Sequence, residues 1–507
     1  MRQYLIGLDI GTSGAKCILV DDLGTVVASS TQEYPLYTPR PGWAEQNPED
    51  WWQAVAKGCQ IILKQANLPK EAIKGVSFSG QMHGLVALDE GLNVIRPAIL
   101  WCDQRTQPQC DALIAKAGGV EGLMRLTNNT MLSGYTGGKL IWLKENEPEN
   151  YARMKTFCCP KDYIRLMITG EVATEVSDAS GTGLFDTEKR AWSDGAIALA
   201  GLDKALFPVC MESSDLAGRV TEQAARVTGL PQGLPVYAGG GDAVIQTTGA
   251  GLVKPGIMGV VIGTAGNVAM GMDRFTPNPG GKLQMFCANG PKLWNALGVT
   301  LAAGGAYRWY RDALCEADLL EAKQRGISVY SIMGDKAASS RPGSGGVVFL
   351  PYLSGERCPY ADSNARGVFY GLSLATTRGD ITRSVMEGVT FSLKQVADLM
   401  TQTVKAEKIY TSGGGSASPL WRQMQADIFN LPVYTMSAAS EGGAYGAVMV
   451  AGVGAGVWKD LNEAISILRV ETETLPNPAN QAAYQDAFGI YTDLYGALKP
   501  VYDKAAK

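Results

Sequence analysis

The chain has 507 residues, 46% hydrophobic and 19% charged, which is more than one core normally supports and too apolar for disorder, so two large domains are expected. With 45 Lys+Arg against 49 Asp+Glu, the net charge of −4 offers no footprint for nucleic acid or an anionic membrane surface. A single histidine, His83, excludes histidine-cluster zinc sites, two-His iron sites and HExxH metalloproteases, and no G-x-S-x-G elbow accompanies it. The ten cysteines contain no C-x-x-C pair, and Cys158 and Cys159 are adjacent, so free thiols in a reducing cytoplasm are expected. The first 14 residues carry one Arg and a short apolar run broken by Asp9, unlike a secretory signal.

In chain order, residues 4–9 read as an apolar strand, 11–14 as a tight turn and 15–20 as a second strand. After the turn at 21–24, residues 25–33 complete a β-meander. Asn47-Pro48-Glu49-Asp50 predicts a helix running to Leu63, with a capping Asn, Pro in the first turn and acids at the positive end. Residues 73–78 form a short strand that runs into Ser79-Gly80-Gln81-Met82-His83-Gly84. Such alternation predicts an α/β core.

A mostly helical region follows from about 106 to 225, then a strand at 236–241 that ends in three glycines before Asp242. The opening theme then returns as strand 256–262, turn 263–266 and strand 267–272. The turns Gly-Thr-Ser-Gly (11–14) and Gly-Thr-Ala-Gly (263–266) form a weak internal repeat that places a domain boundary near residue 250. Beyond a Pro/Gly/Ser loop at 341–346 come a strand at 347–350, a strand at 408–412 ending in Gly413-Gly414-Gly415, a helix from about 419 to 430 and a strand at 431–434. Residues 441–452 predict a helix of small residues, able to admit another backbone or a flat ligand. The uncharged stretches 255–272 and 442–458 are rich in Gly, so a buried hairpin and a close-packed helix are expected there and not membrane spans.

A glycine-rich turn between two strands gathers backbone N–H groups into a nest for phosphate oxygens, which Thr and Ser hydroxyls extend. Each turn alone also fits an ordinary hairpin. The pair, taken with the loops at Asp242 and Gly413–Gly415, favours a polyphosphate gripped from two sides. The string Gly11-Thr12-Ser13-Gly14-Ala15-Lys16 has the wrong spacing for a P-loop, and no G-x-G-x-x-G follows a strand directly.

Two longer strings carry a resemblance. One is Gly134-Tyr135-Thr136-Gly137-Gly138-Lys139-Leu140-Ile141-Trp142-Leu143-Lys144-Glu145-Asn146. The other runs from Gly367-Val368-Phe369-Tyr370-Gly371-Leu372 through Asp380-Ile381 to Ser384-Val385-Met386-Glu387. In these the chain resembles, over nearly its whole length, the FGGY family of carbohydrate kinases. The resemblance implies α/β architecture with two ribonuclease H-like domains, as in actin, hexokinase and the Hsp70 ATPase, flanking a cleft. Residues 1–250 would carry sugar binding and the catalytic base, and residues 251–507 adenosine binding. Ser79–Gly84 is similar to the string that contacts the ketopentose in kinases of D-xylulose, Ile99-Leu100-Trp101-Cys102-Asp103-Gln104-Arg105 to the family's Leu-Trp-Asn-Asp-x-Arg, and Pro351–Arg357 is shared. The implied reaction is ATP-dependent phosphorylation of D-xylulose to D-xylulose 5-phosphate. Kinases of ribulose, gluconate or glycerol are rivals in the same fold, and an actin- or Hsp70-like nucleotide switch is a rival of another class.

By resemblance, Asp242 is the base that accepts the sugar hydroxyl's proton; a helix cap at Ala243 is the alternative. Asp9 corresponds to the magnesium-associated aspartate, acting through water, or else caps a turn. Gln81, Met82, His83, Trp101, Asp103 and Arg105 are the implied sugar contacts, with core packing open for Trp101 and a structural role open for His83. Thr12, Ser13, Gly263 and Thr264 would meet the ATP phosphates, with Gly305 joining them. Gly413, Gly414 and Gly415 would lie against adenosine. Gly442–Ala447 would line the adenine pocket or form a packed helix pair. ATP and Mg²⁺ are the implied cofactors, and a homodimer is implied by what relatives often form. Ala243, Ala265, Ser416 and Cys102 stand where the family usually has Asn, Ser, Ala and Asn. Ala243 and Cys102 adjoin proposed sugar contacts, so they bear on the sugar more than on the reaction.

Overall fold

Leu5, Ile6, Leu8 and Ile10 have no exposed surface. A strand buried on both faces must lie inside a sheet covered on both sides. In the computed structural model, which describes residues 2–402, 404–437 and 441–506, that strand is β1 (Tyr4–Ile10). It pairs antiparallel with β2 (Gly14–Asp21), which pairs with β3 (Val26–Glu33), so the expected meander forms. The helix Pro48–Ala66 packs on β2 and β3; the Asn47 side chain accepts the Glu49 N–H at its start, and Asn67 ends it in the left-handed conformation. β4 (Ile73–Gly80) runs parallel to β1. β5 (Leu216–Arg219) and β6 (Pro235–Tyr237) extend the sheet, giving the order β5-β6-β4-β1-β2-β3, and β7 (Gly240–Gly241) lies alongside the end of β4. Between β4 and β5 the chain is mainly short helices, with a few two- and three-residue strands among them.

The helix Gly442–Gly454 covers the other face of this sheet, packed on β1, β4 and the helix Asp242–Gly249. Its small residues let backbones touch. A Cβ on Gly7 would come within 2.0 Å of Ala444 O, and one on Gly446 within 2.1 Å of Ile245 O. Gly443, Ala444 and Gly446 thus serve the close-packed arrangement foreseen as one of the two readings of Gly442–Ala447, while a Cβ on Gly442 would meet nothing within 4 Å.

The second unit repeats the plan. β8 (Ile257–Ile262) and β9 (Gly266–Met272) form an antiparallel hairpin, with β10 (Trp294–Thr300) beyond β9. On the other side come β11 (Lys408–Ser412), parallel to β8, then β12 (Val433–Met436) and β13 (Val470–Thr474). The order β13-β12-β11-β8-β9-β10 reproduces β5-β6-β4-β1-β2-β3, with one further strand, Gln284–Cys287, added beyond β10, so the weak turn repeat marks a repeated sheet. A 24-residue helix, Arg378–Thr401, opens on a capping box between Thr377 and Asp380, and a 25-residue helix, Gln481–Ala505, closes the chain. The sequence reading assigned neither.

The units are not contiguous in sequence. The first comprises Met1–Lys254, Gly271–Asn295 and Ala438–Arg469; the second comprises Pro255–Met270, Ala296–Ser437 and Val470–Lys507. The expected boundary near residue 250 lies close to the first of five crossings. Among the described residues no helix is long and apolar enough to cross a membrane, and the two uncharged stretches form the β8–β9 hairpin and the close-packed helix Gly442–Gly454.

Candidate active site

Three parallel strands of the first unit end at one level. Asp9 is in register with Ser79 and Ile10 with Gly80; Ser79 in turn faces Gly240, and Gly80 faces Gly241. Gly11, Gln81 and Asp242 therefore all step off the carboxyl edge of the sheet together, where open α/β sheets bind ligands.

Asp9 Oδ1 accepts the Ser79 hydroxyl at 2.6 Å. Burial pushes its carboxyl up, against the opposing effects of Ser79 and the Lys16 ammonium. Asp242 is half-buried and begins the helix Asp242–Gly249, and its carboxylate accepts the N–H of Ala243 at 2.7 Å and that of Met82. The N-cap of this helix is Gly241, with no side-chain cap hydrogen bond, so the capping alternative foreseen for Asp242 is not what the fold shows. Burial, and then the like charge of Asp9, push the Asp242 carboxyl up to about 7. A carboxylate poised near neutral pH suits a general base.

The Gly11–Gly14 turn closes through Gly11 N–H to Gly14 O at 3.0 Å. Within it the Thr12 hydroxyl accepts Trp101 Nε1–H at 2.9 Å and donates to Gln81 Oε1 at 3.3 Å. Gln81 Nε2 donates to Gln46 Oε1 at 2.9 Å, and Gln46 Nε2 donates to Thr12 O at 2.7 Å. Thr12 and Gln81 therefore belong to a closed ring that ties the turn to the end of β4. Ser13 is the exposed hydroxyl of the turn. Trp101 is 45% exposed, which removes core packing as its role.

His83 has φ 69° and is half-buried. Its Nδ1–H donates to Gly181 O at 2.6 Å, and its ring leans on Tyr135 at a centroid distance of 4.7 Å. Lys139 Nζ donates to His83 O at 2.8 Å and also to Gly134 O. Lys139 is wholly buried, which pulls its ammonium down to about 7. Gln81 and Met82 are enclosed, with Met82 packed so tightly under Gly241 that a Cβ there would come within 2.4 Å of its Cγ.

Asp103 and Arg105 do not line an open pocket, and this corrects the sequence reading. Asp103 has no exposed surface; it accepts the Ala44 N–H at 2.7 Å and the Arg105 Nη2–H at 2.7 Å. Arg105 also pairs with Glu45 at 2.7 Å and lies 3.5 Å over the Trp43 ring. The pair braces the segment that presents Trp101.

In the second unit Val261 is in register with Ser412, so Gly263 and Gly413 leave neighbouring parallel strands side by side. Gly304 N–H donates to Gly263 O at 2.7 Å and Gly305 N–H to Thr264 O at 3.0 Å, leaving Thr264 exposed at the tip. Packing accounts for three of the site glycines. A Cβ would come within 2.8 Å of Thr264 O at Gly305, 2.7 Å of Ile262 O at Gly413 and 2.6 Å of the Ile262 side chain at Gly415. At Gly414, which is exposed, it would meet nothing within 4 Å.

One buried group of metal-ligand type is found among the described residues, Cys159, Asp162 and Asp178. It already holds the Lys161 ammonium, 2.6 Å from Asp162 and 3.1 Å from Asp178, and is structural. Sequence reasoning missed Gln46 and Lys139. Lys139 stands inside the quoted string 134–146, but nothing local marks a lysine whose partners are backbone carbonyls 5 and 56 residues away.

Duplicated sheets, each with a Gly-Thr turn at its carboxyl edge, together with one carboxylate near neutrality, suit an α/β phosphotransferase. The N-terminal domain profile of the FGGY family of carbohydrate kinases matches residues 4–249, and the C-terminal domain profile matches residues 259–455. The chain is 37% identical over 499 residues to the xylulose kinase of Bacillus subtilis (strain 168), covering 98% of this chain and 97% of that one. It is 35% identical over 497 residues to the xylulose kinase of Escherichia coli (strain K12), covering 98% and 99%. Its structure is similar to the crystal structure of a xylulose kinase from Brucella ovis, with TM-score 0.90 and 32% identity over 98% of this chain and 100% of that one. The chain belongs to the FGGY family of carbohydrate kinases.

Proposed function

We propose that the chain transfers the γ-phosphoryl group of ATP to the terminal hydroxyl of D-xylulose, giving D-xylulose 5-phosphate and ADP. The observation that carries the chemistry is Asp242, held at the sheet edge by two backbone N–H groups and poised at about 7. The sugar oxygen forms a bond to the γ-phosphorus as the bond from that phosphorus to the β–γ bridging oxygen breaks. The hydroxyl proton passes to the Asp242 carboxylate. His83, fixed by Gly181 and Tyr135, binds a sugar hydroxyl, and the exposed Trp101 forms the adjacent wall. The choice of D-xylulose is supported by the names of the relatives at 35–37% identity.

Ser13 and Thr264 offer the exposed hydroxyls for phosphate oxygens, and Thr12 acts by holding the first turn in shape. Gly414 leaves bare backbone for the adenosine. The negative charge of Asp9 acts on Asp242 at the same sheet edge, a setting that fits a hard divalent cation. Asp9 would hold Mg²⁺ through water, and the ion would supply neutralisation of the triphosphate's charge. Ten free thiols support a reducing, cytoplasmic setting.

The test is ADP release with D-xylulose, L-xylulose, D-ribulose, gluconate and glycerol as acceptors. D-xylulose is expected to give the highest kcat/KM, and Asp242→Ala to lower kcat by roughly a hundredfold or more. A higher kcat/KM for ribulose, gluconate or glycerol overturns the choice of sugar. Wild-type activity in the variant overturns the mechanism.

A further inference from the structure

Behind the glycine run that carries Asp242 lies a chain of buried polar side chains that phosphoryl transfer itself does not use. Ser177 Oγ accepts the Gly241 N–H at 2.9 Å and gives its own proton to Glu175 Oε1 at 2.6 Å. A hydroxyl has one proton, so committing it to a carboxylate turns the lone pairs of Ser177 toward Gly241. The other Glu175 oxygen accepts the Ser177 N–H at 2.8 Å and the Ser213 hydroxyl at 3.0 Å. Asn289 Nδ2 donates to Ser213 Oγ at 3.0 Å, and Asn289 Oδ1 accepts the Thr248 hydroxyl at 2.8 Å. The chain thus begins at the amide just before Asp242 and returns to the helix that Asp242 opens.

All five side chains are buried, three of them with no exposed surface. Asn289 Nδ2 would be 2.2 Å from a Cβ on Gly240, so it closes against the strand as well. The same short helix, Val176–Ser180, is followed by Gly181, whose carbonyl takes His83 Nδ1–H at 2.6 Å. One element therefore fixes both the residue read as base and the residue read as sugar contact.

We propose that Ser177, oriented by Glu175, is a positioning residue for Asp242, setting where its carboxylate stands relative to the acceptor hydroxyl. This rests on the reading of Asp242 as the base. Displacing a reacting group by about 1 Å can lower turnover a hundredfold without changing binding, so the effect belongs in kcat.

Wild type is first run on the acceptor panel, and variants are compared on whichever acceptor it turns over best. An error in the choice of sugar then leaves the test intact, while turnover of no acceptor overturns both readings. Ser177→Ala is expected to lower kcat by roughly ten- to a hundredfold, with KM for acceptor and ATP within about twofold. In the Asp242→Ala background it is expected to cause no further loss, because both changes remove one function. Unchanged kcat, a change in KM alone, or the same loss in both backgrounds overturns the proposal. Should Ser177→Ala not fold, Ser177→Cys keeps the shape with a weaker acceptor; it must still lose kcat, and wild-type kcat in it overturns the proposal. If Asp242→Ala retains full activity, the base reading falls and this proposal with it.

Discussion

Asp242 gives the site its pH dependence. Only its carboxylate form accepts a proton, so kcat/KM for the acceptor is expected to rise with pH to about 7 and level off above it. Asp9→Asn removes the like charge and is expected to move that acidic limb to lower pH, whatever it does to the height of the profile; a limb that stays put separates the two carboxylates electrostatically. Stability runs the other way. A carboxyl raised in the fold binds its proton more tightly there than in the unfolded chain. Its contribution is complete below 3.8 and is lost as pH rises through about 7. Urea unfolding should show this fall in wild type and a flatter trend in Asp242→Asn. Asp9 and Asp242 were singled out by the family resemblance and Thr12 by its glycine turn; that the strands carrying them end together at one sheet edge is a matter of register that no local string shows. Asp103 and Arg105 were taken as sugar contacts from the resemblance of residues 99–105 to the family pattern, and such a match carries no sign of burial. Only the fold brings Ala44, Glu45 and Trp43 to enclose them.

At the scale of elements, the run Gly413-Gly414-Gly415 mixes two reasons for glycine. Gly415→Ala drives a methyl into Ile262 and is expected to destabilise by about 1–3 kcal/mol, read as a lowered unfolding midpoint. Gly414→Ala meets no atom of the fold and should unfold like wild type. If adenosine lies against that backbone, Gly414→Ala raises KM for ATP severalfold and leaves the acceptor KM alone; an unchanged KM for ATP places the adenosine elsewhere. The strand–turn–strand pattern was readable in both halves because it is local. The helix Gly442–Gly454 showed its small residues but not what they touch, since Gly7 lies more than 400 residues away in the chain.

For the whole molecule, composition and the paired turns indicated two large units, while their interleaving left no trace in any short window. Leu5, Ile18 and Val20 share one buried cluster with Ala444, Tyr445, Val448 and Met449. A fragment ending at residue 254 would uncover those three first-sheet residues. At about 1.5–3 kcal/mol for each buried side chain, the loss approaches a domain's entire stability of about 5–15 kcal/mol. Such a fragment is expected to bind hydrophobic dye and to unfold without cooperativity, and joining segments 271–295 and 438–469 to it should restore a sharp transition. A sharp transition in the bare fragment would make the covering helix dispensable. The same interleaving sets a timetable during translation. The ribosome adds residues at about 5–20 per second, so on the order of tens of seconds separate the emergence of β1 from that of the helix that seals it. For that interval the nascent sheet has a sticky, half-finished face, exposed to wrong pairings until the sealing helix arrives.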